Sequence, residues 1–177
     1  MNIPSKPWTK KNLPKKILAI RLQAMGDTVI TLPYLQDLRN NLPDTVQIDL
    51  LTRYETNPVP KNLVLFNKIY SIGGKRNLKK QLFFTLLLLP KLLFRRYDVV
   101  MDLQNNILSR IVRKTLRPAA WVEFDRRTPI PAGERTRLTI EAAGLGKNKA
   151  ANRFKLKSEL NVKDILVKNG WDGKKDC

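Results

Sequence analysis

The sequence predicts an α/β protein with a doubly wound, mostly parallel sheet. Short apolar runs alternate with segments whose apolar residues recur at helical spacing. The first such run ends in a glycine-containing loop that leads straight into a helix. Strands that alternate with helices pair in parallel, because parallel strands need crossover connections and these are right-handed. A length of 177 residues corresponds to one domain, or to one domain with the start of another.

Residues 17–22 (ILAIRL) form a buried first strand, closed by the loop 23–27 with Gly26. Val29, Leu32, Leu35, Leu38 and Leu42 then mark a helix over 28–42 that stops at Pro43. Residues 46–52 read as a second strand and 68–72 as a weaker third before Gly73 and Gly74. A long helix over 78–96 contains Pro90, which is expected to kink it or begin a new turn. A strand over 97–103, a helix over 107–116, a strand over 120–124 and a helix over 135–143 ended by Gly144 complete the pattern. Residues 1–16 read as a basic polar arm and 17–146 as the folded domain. Residues 147–157 are a basic linker, followed by a further helix over 162–169.

Thirty-four Lys and Arg against 15 Asp and Glu give a net charge of +19, which calls for an anionic partner. With 42% hydrophobic residues the chain is too apolar to be a disordered polybasic segment. The absence of histidine excludes Ser-His-Asp triads, histidine bases and histidine-ligated zinc. The single cysteine, Cys177, allows neither an internal disulfide nor a four-cysteine metal site, and fits a reducing compartment. No secretory signal is expected from the polar start, and a cytoplasmic location follows. The most apolar stretch, 82–94, is interrupted by Pro90 and Lys91 and is too short for a bilayer span of roughly 20 residues.

Ligands of open parallel sheets gather beyond the carboxyl ends of the strands. That leaves three candidate acids: Asp27 after the first strand, Asp102 at the end of the strand over 97–103, and Asp125 after the strand ending at Phe124. Asp27 lies at a helix N-terminus, where the dipole favours negative charge. It reads either as a proton acceptor for a bound hydroxyl or as the helix N-cap. The first loop has one glycine where a dinucleotide fingerprint has three, and no Walker-type lysine loop is present, so this loop is not expected to hold a nucleotide. The basic cluster over 75–80 and the Leu-rich helix after it read either as a core helix with a solvated edge or as a surface lying on anionic lipid. Nucleic acid is the other anion that the charge could serve. The scattered aromatics form no stacking stripe, and charge alone gives only salt-sensitive, non-specific binding.

Three blocks carry more than spacing. Residues 17–39 (ILAIRLQAMGDTVITLPYLQDLR), 96–105 (RYDVVMDLQN) and 122–126 (VEFDR) resemble, in order and spacing, the lipopolysaccharide heptosyltransferases of glycosyltransferase family 9. The resemblance extends over about residues 15–146. It implies two facing Rossmann-like halves of the GT-B type that use neither metal nor cofactor. Such an enzyme moves a sugar, with inversion, from a nucleotide sugar to an anionic lipid-linked acceptor. It also implies that this half binds the acceptor and that Asp27 is the general base. By the same resemblance Gly26, Thr28, Lys75, Arg76, Asp102, Gln104, Asn105 and Arg126 contact the acceptor.

Two departures stand out. The family's Asp-x-Gln-Gly block ends here in Asn105, and such enzymes are about twice this length. Residues 147–177 are therefore expected to begin a donor-binding domain, and the chain alone is expected to bind an acidic glycolipid with little or no transfer. The inner face of the cytoplasmic membrane is the expected location. The rival expectation is a catalytically inactive basic module for anionic lipid or nucleic acid.

Overall fold

Side chains alternate across strand β2 (Lys16–Ile20) and are buried on both sides. Ile17 and Ala19 enter one apolar cluster, Leu18 and Ile20 another. A strand apolar on both faces belongs in the middle of a parallel sheet with helices on either side. The computed structural model, which describes residues 3–75 and 77–157, shows that arrangement. Arg76 and the helix expected over 162–169 lie outside the described residues.

β2 pairs in parallel with β3 (Gln47–Arg53) on one side and β5 (Val99–Asp102) on the other. β4 (Lys68–Ile72) extends the sheet beyond β3, and β6 (Ala120–Glu123) extends it beyond β5. On one face α1 (Met25–Asn40) and α5 (Ala132–Glu141) cover Ile17 and Ala19 with Leu32, Leu35, Leu38 and Ile140. On the other, α3 (Leu78–Arg95) and α4 (Ile107–Leu116) cover Leu18 and Ile20 with Leu89, Leu92, Leu108 and Val112. A four-residue helix α2 (Pro58–Lys61) lies between β3 and β4. The Asn106 side chain accepts from the Ser109 N–H and opens α4, whereas Asn77 does the same for α3 through Lys80. α3 runs through Pro90 as a single 18-residue helix, so no new helix begins there.

Two segments differ from the sequence expectation. The N-terminal arm contributes an edge strand, β1 (Ser5–Lys6), antiparallel to β6, so the sheet order is β1-β6-β5-β2-β3-β4. Residues 148–157 return along α1: the Lys149 N–H donates to Asp37 (3.1 Å), the Asn148 side chain donates to the Tyr34 carbonyl (2.9 Å), and Leu156 bridges to Leu63. Asp37 is thereby buried. The chain progresses outward from β2 to β3 and β4, then crosses back to β5 and β6. The reversal lies between β2 and β5, the place where open parallel sheets of this kind hold their ligands.

Candidate functional site

Arg21 is the first residue past β2, and its guanidinium is almost wholly buried at the reversal point. It donates to the Leu103 carbonyl beyond β5 and, at 3.4 Å, to Asp27 Oδ1. It also lies 5.0 Å from the centroid of the Phe124 ring. Burial pushes its pKa down, and the Asp27 carboxylate opposes that shift.

Asp27 is not the helix cap. α1 begins at Met25, Ala24 takes the cap position without a side-chain hydrogen bond, and Asp27 is the third helical residue. Its side chain is 33% exposed, against 1% for its partner Arg21. The neighbouring Gly26 has nothing within 4 Å of where a Cβ would be, so the space beside the helix start is open. Thr28 turns inward and donates its hydroxyl to the Ala24 carbonyl (3.3 Å).

Past β5, Asp102 is fully buried. Its Oδ1 accepts the N–H groups of Gln104 (3.1 Å) and Asn105 (2.7 Å), while Oδ2 has no partner. Burial raises its pKa, although the Asn105 N–H, the Ser109 hydroxyl and the Gln104 N–H act against the shift. Gln104 is buried as well, and its side-chain oxygen accepts the Leu22 N–H (3.1 Å), tying the exit of β2 to the exit of β5. Asp102 and Gln104, expected to contact an acceptor, present almost no surface; in this structure they shape the loop. Asn105 stands where the family block has glycine, and its φ of +49° explains why glycine suits the position. Asparagine tolerates that conformation. Its amide donates to the Phe124 carbonyl (2.9 Å) and accepts from Arg110 (3.0 Å).

Past β6, Asp125 accepts the Arg127 N–H (2.9 Å) and the Thr128 hydroxyl. The Thr128 hydroxyl first, then that N–H, hold its carboxyl below the usual carboxylate range. A carboxylate so occupied makes a turn rather than a base. Asn105, Arg110, Asp125, Arg126 and Arg127 line a cleft of ≈ 550 Å³, with three guanidinium groups to one carboxylate. Arg135 of α5 donates to the Arg126 carbonyl (3.2 Å) beneath it.

A second cleft of ≈ 520 Å³, on the other side of the α1 start, is lined by Ala24, Met25, Arg53, Glu55, Thr56 and Lys75. Arg53 reaches across to the Lys75 carbonyl (2.7 Å). The sequence-flagged residues thus gather at one edge of the sheet but in two groups. Asn105 and Arg126 line the first cleft and Lys75 the second, while Gly26 and Asp27 stand at the helix start next to both. Arg21, Arg110, Phe124 and Arg135 were not flagged. Arg21 had a readable signal, a lone charge at the end of an apolar run six residues before an acid. Among the described residues no group of three or more His, Cys, Asp or Glu is placed to hold a metal ion.

No protein-family model and no curated protein matches the sequence. Solved structures do match. The glycosyl transferase family 9 protein of Veillonella parvula superposes with a TM-score of 0.67 at 13% identity, over 90% of this chain and 51% of that one. The E. coli heptosyltransferase WaaC with ADP superposes with a TM-score of 0.56 at 18% identity, over 75% of this chain and 48% of that one. The same enzyme with ADP-2-deoxy-2-fluoro heptose gives 0.55 at 18% identity, over 75% and 49%. The fold is the one seen in glycosyltransferase family 9. The chain spans about half the length of these structures. The family 9 likeness that the blocks around Asp27 and Asp102 suggested is thus met in the backbone.

Proposed function

We propose that this chain is the acceptor-binding half of an inverting glycosyltransferase that moves a heptose-like sugar from a nucleotide sugar to an acidic lipopolysaccharide-core acceptor. The observation that carries the reading is the Arg21–Asp27 pair: the cation is buried and the carboxylate open, at the reversal of a parallel sheet, with an arginine-rich cleft alongside. Arg126 and its neighbours in that cleft attract the acceptor's acidic groups, and Lys75 and Arg53 do so in the other.

An acceptor hydroxyl placed about 3 Å from the Asp27 carboxylate gives up its proton to it. Its oxygen forms a bond to the anomeric carbon of the donor as the carbon–oxygen bond to the nucleoside diphosphate breaks on the opposite side, which inverts the centre. Arg21 fixes the carboxylate without covering it. Stabilising the departing diphosphate belongs to a second, donor-binding half, so this half alone binds acceptor with little or no transfer. In the likeness the nucleotide sugar is a substrate, and no resident cofactor or metal takes part. No helix among the described residues is long and apolar enough to cross a membrane, and we place the enzyme at the inner face of the cytoplasmic membrane, where a lipid-linked acceptor lies.

The test is Asp27→Asn in the complete enzyme. The amide keeps the shape and cannot take the proton, so kcat should fall about 10²–10⁴-fold with acceptor affinity within a few-fold of the parent. Turnover unchanged by the substitution would remove the base assignment. Absence of transfer in the parent complete enzyme would favour an inactive basic module for anionic lipid or nucleic acid instead.

A further inference from the structure

Helix α3 has two apolar sides. Thr85, Leu89 and Leu92 face the sheet and are buried. On the opposite side Phe83, Leu87, Pro90 and Phe94 follow one another at i, i+4, i+7 and i+11, so they form a single outward stripe. Phe83 is 58% exposed, Leu87 62% and Phe94 88%. A helix packed on a sheet normally turns charge toward water there. Phe84 packs edge-on against Phe83 at 5.8 Å and widens the patch.

The surroundings of the stripe are uniformly cationic. Lys79 lies along one side, Lys80 and Lys91 along the other, and all are exposed. Residues 56–97 contain nine Lys and Arg and no Asp or Glu, although the whole chain has 15 acids. Solvation alone would not require the acids to be absent from this stretch.

We infer that the outer face of α3 is a membrane-docking surface for anionic lipid, with Phe83, Leu87 and Phe94 entering the headgroup boundary and Lys79, Lys80 and Lys91 meeting lipid phosphates. A stripe of this kind sinks about 5–10 Å into the interface, and the apolar and basic contributions together give stable attachment where either alone is marginal. A second copy of the chain fits poorly, because pairing the face with itself sets lysine against lysine. A donor-binding half closing over the crevice would meet the carboxyl edge of the sheet, whereas α3 lies on its face. The inference deepens the proposed function. α3 starts beside the Lys75 cleft, and the Lys75 carbonyl accepts from both Arg53 and Gln81, so a docked α3 holds that cleft at headgroup level.

The experiment is vesicle flotation of the 177-residue chain, with phosphatidylglycerol-containing vesicles against pure phosphatidylcholine. The parent should float with the anionic vesicles. Phe83→Ser, Leu87→Ser and Phe94→Ser combined should lower partition by tenfold or more. Lys79→Gln with Lys80→Gln should lower it on the order of 25-fold, at about fivefold per charge removed. Phe94→Trp, a conservative change, should gain fluorescence that brominated lipid quenches, and this reading does not depend on how well the serine variant folds. Triple-variant flotation equal to the parent, equal binding to phosphatidylcholine, or a parent dimer that the triple variant converts to monomer would each overturn the inference. Asp27→Asn should float like the parent. Loss of transfer with docking intact would bear on the reaction alone, and lost docking with intact transfer to a soluble headgroup would bear on α3 alone.

Discussion

Two of the arginine–carboxylate pairs among the described residues are of opposite construction. At Asp49, within β3, the acid is fully buried and the cation is partly exposed: Asp49 Oδ2 takes hydrogen bonds from Arg95 Nη2 (2.9 Å), Arg95 Nε (3.1 Å) and the Tyr97 hydroxyl (2.7 Å). Burial first, then Asp49, pushes the Tyr97 hydroxyl far above its ordinary pKa, so it remains a donor. At the carboxyl edge the roles reverse, with Arg21 buried and Asp27 one-third exposed at a longer 3.4 Å. A fully buried carboxylate clasped by three donors cannot meet a ligand, whereas one held from behind by a buried cation can. Burial of the partner, rather than the presence of a pair, separates a structural clasp from a reactive group.

The contrast breaks most visibly if the two acids can exchange roles. The Asp27→Asn loss in kcat is the largest effect expected; some stability is lost with it, because the buried Arg21 keeps an acceptor but loses its counter-charge. Arg95→Met should act on stability alone. It leaves Asp49 charged, buried and short of two of its donors, which costs about 3–5 kcal/mol of stability, read by urea unfolding, while transfer per folded molecule stays at the parent value. A kcat loss in Arg95→Met comparable to that in Asp27→Asn would show that the two ends of the sheet are not separate. Arg21→Lys comes next. A single ammonium cannot serve both the Leu103 carbonyl and Asp27, so about 1.5–3 kcal/mol is lost with one charge-assisted hydrogen bond. As a positioning residue Arg21 should move kcat more than KM, and a change confined to stability would reduce it to a second structural clasp.

The same contrast explains what could be read in the sequence. β4 and α4 fall where periodicity placed them, because each is bounded by glycine, asparagine or proline punctuation. β1 has only two residues, too few for any period, and exists because β6 offers a free edge. α1 starts three residues before its first expected helical residue because Met25 and Gly26 carry no obvious helix-start signal. That shift moves Asp27 from the cap into the first turn. Its place at the sheet edge was legible from strand order, whereas the pairing with Arg21 was not: a lone charge closing an apolar run marks the residue but not its partner. Asp49 was likewise hidden, because only the fold brings Arg95 and Tyr97 to it across 46 and 48 residues.

Asp102 sharpens the contrast from a third direction, as a buried acid with no arginine clasp in hydrogen-bond contact. Two backbone N–H groups bind one oxygen and nothing binds the other, so burial dominates and the carboxyl pKa is raised. The native state then favours the protonated form. Its contribution to stability is fully present below the unfolded carboxylate value of about 3.9 and is lost as pH rises through the higher folded value. Asp102→Asn keeps an oxygen for the two N–H groups and never ionises. Its new amide donor, placed where Oδ2 had no partner, costs the same at every pH and leaves the slope readable. The melting temperature of Asp102→Asn minus that of the parent should therefore increase as pH is raised from the ordinary carboxylate range and level off above the folded value. A difference that decreases instead would mean that the two N–H groups outweigh burial. Asp102 would then be held ionised by backbone donors, and an arginine would not be needed to keep a buried carboxylate charged.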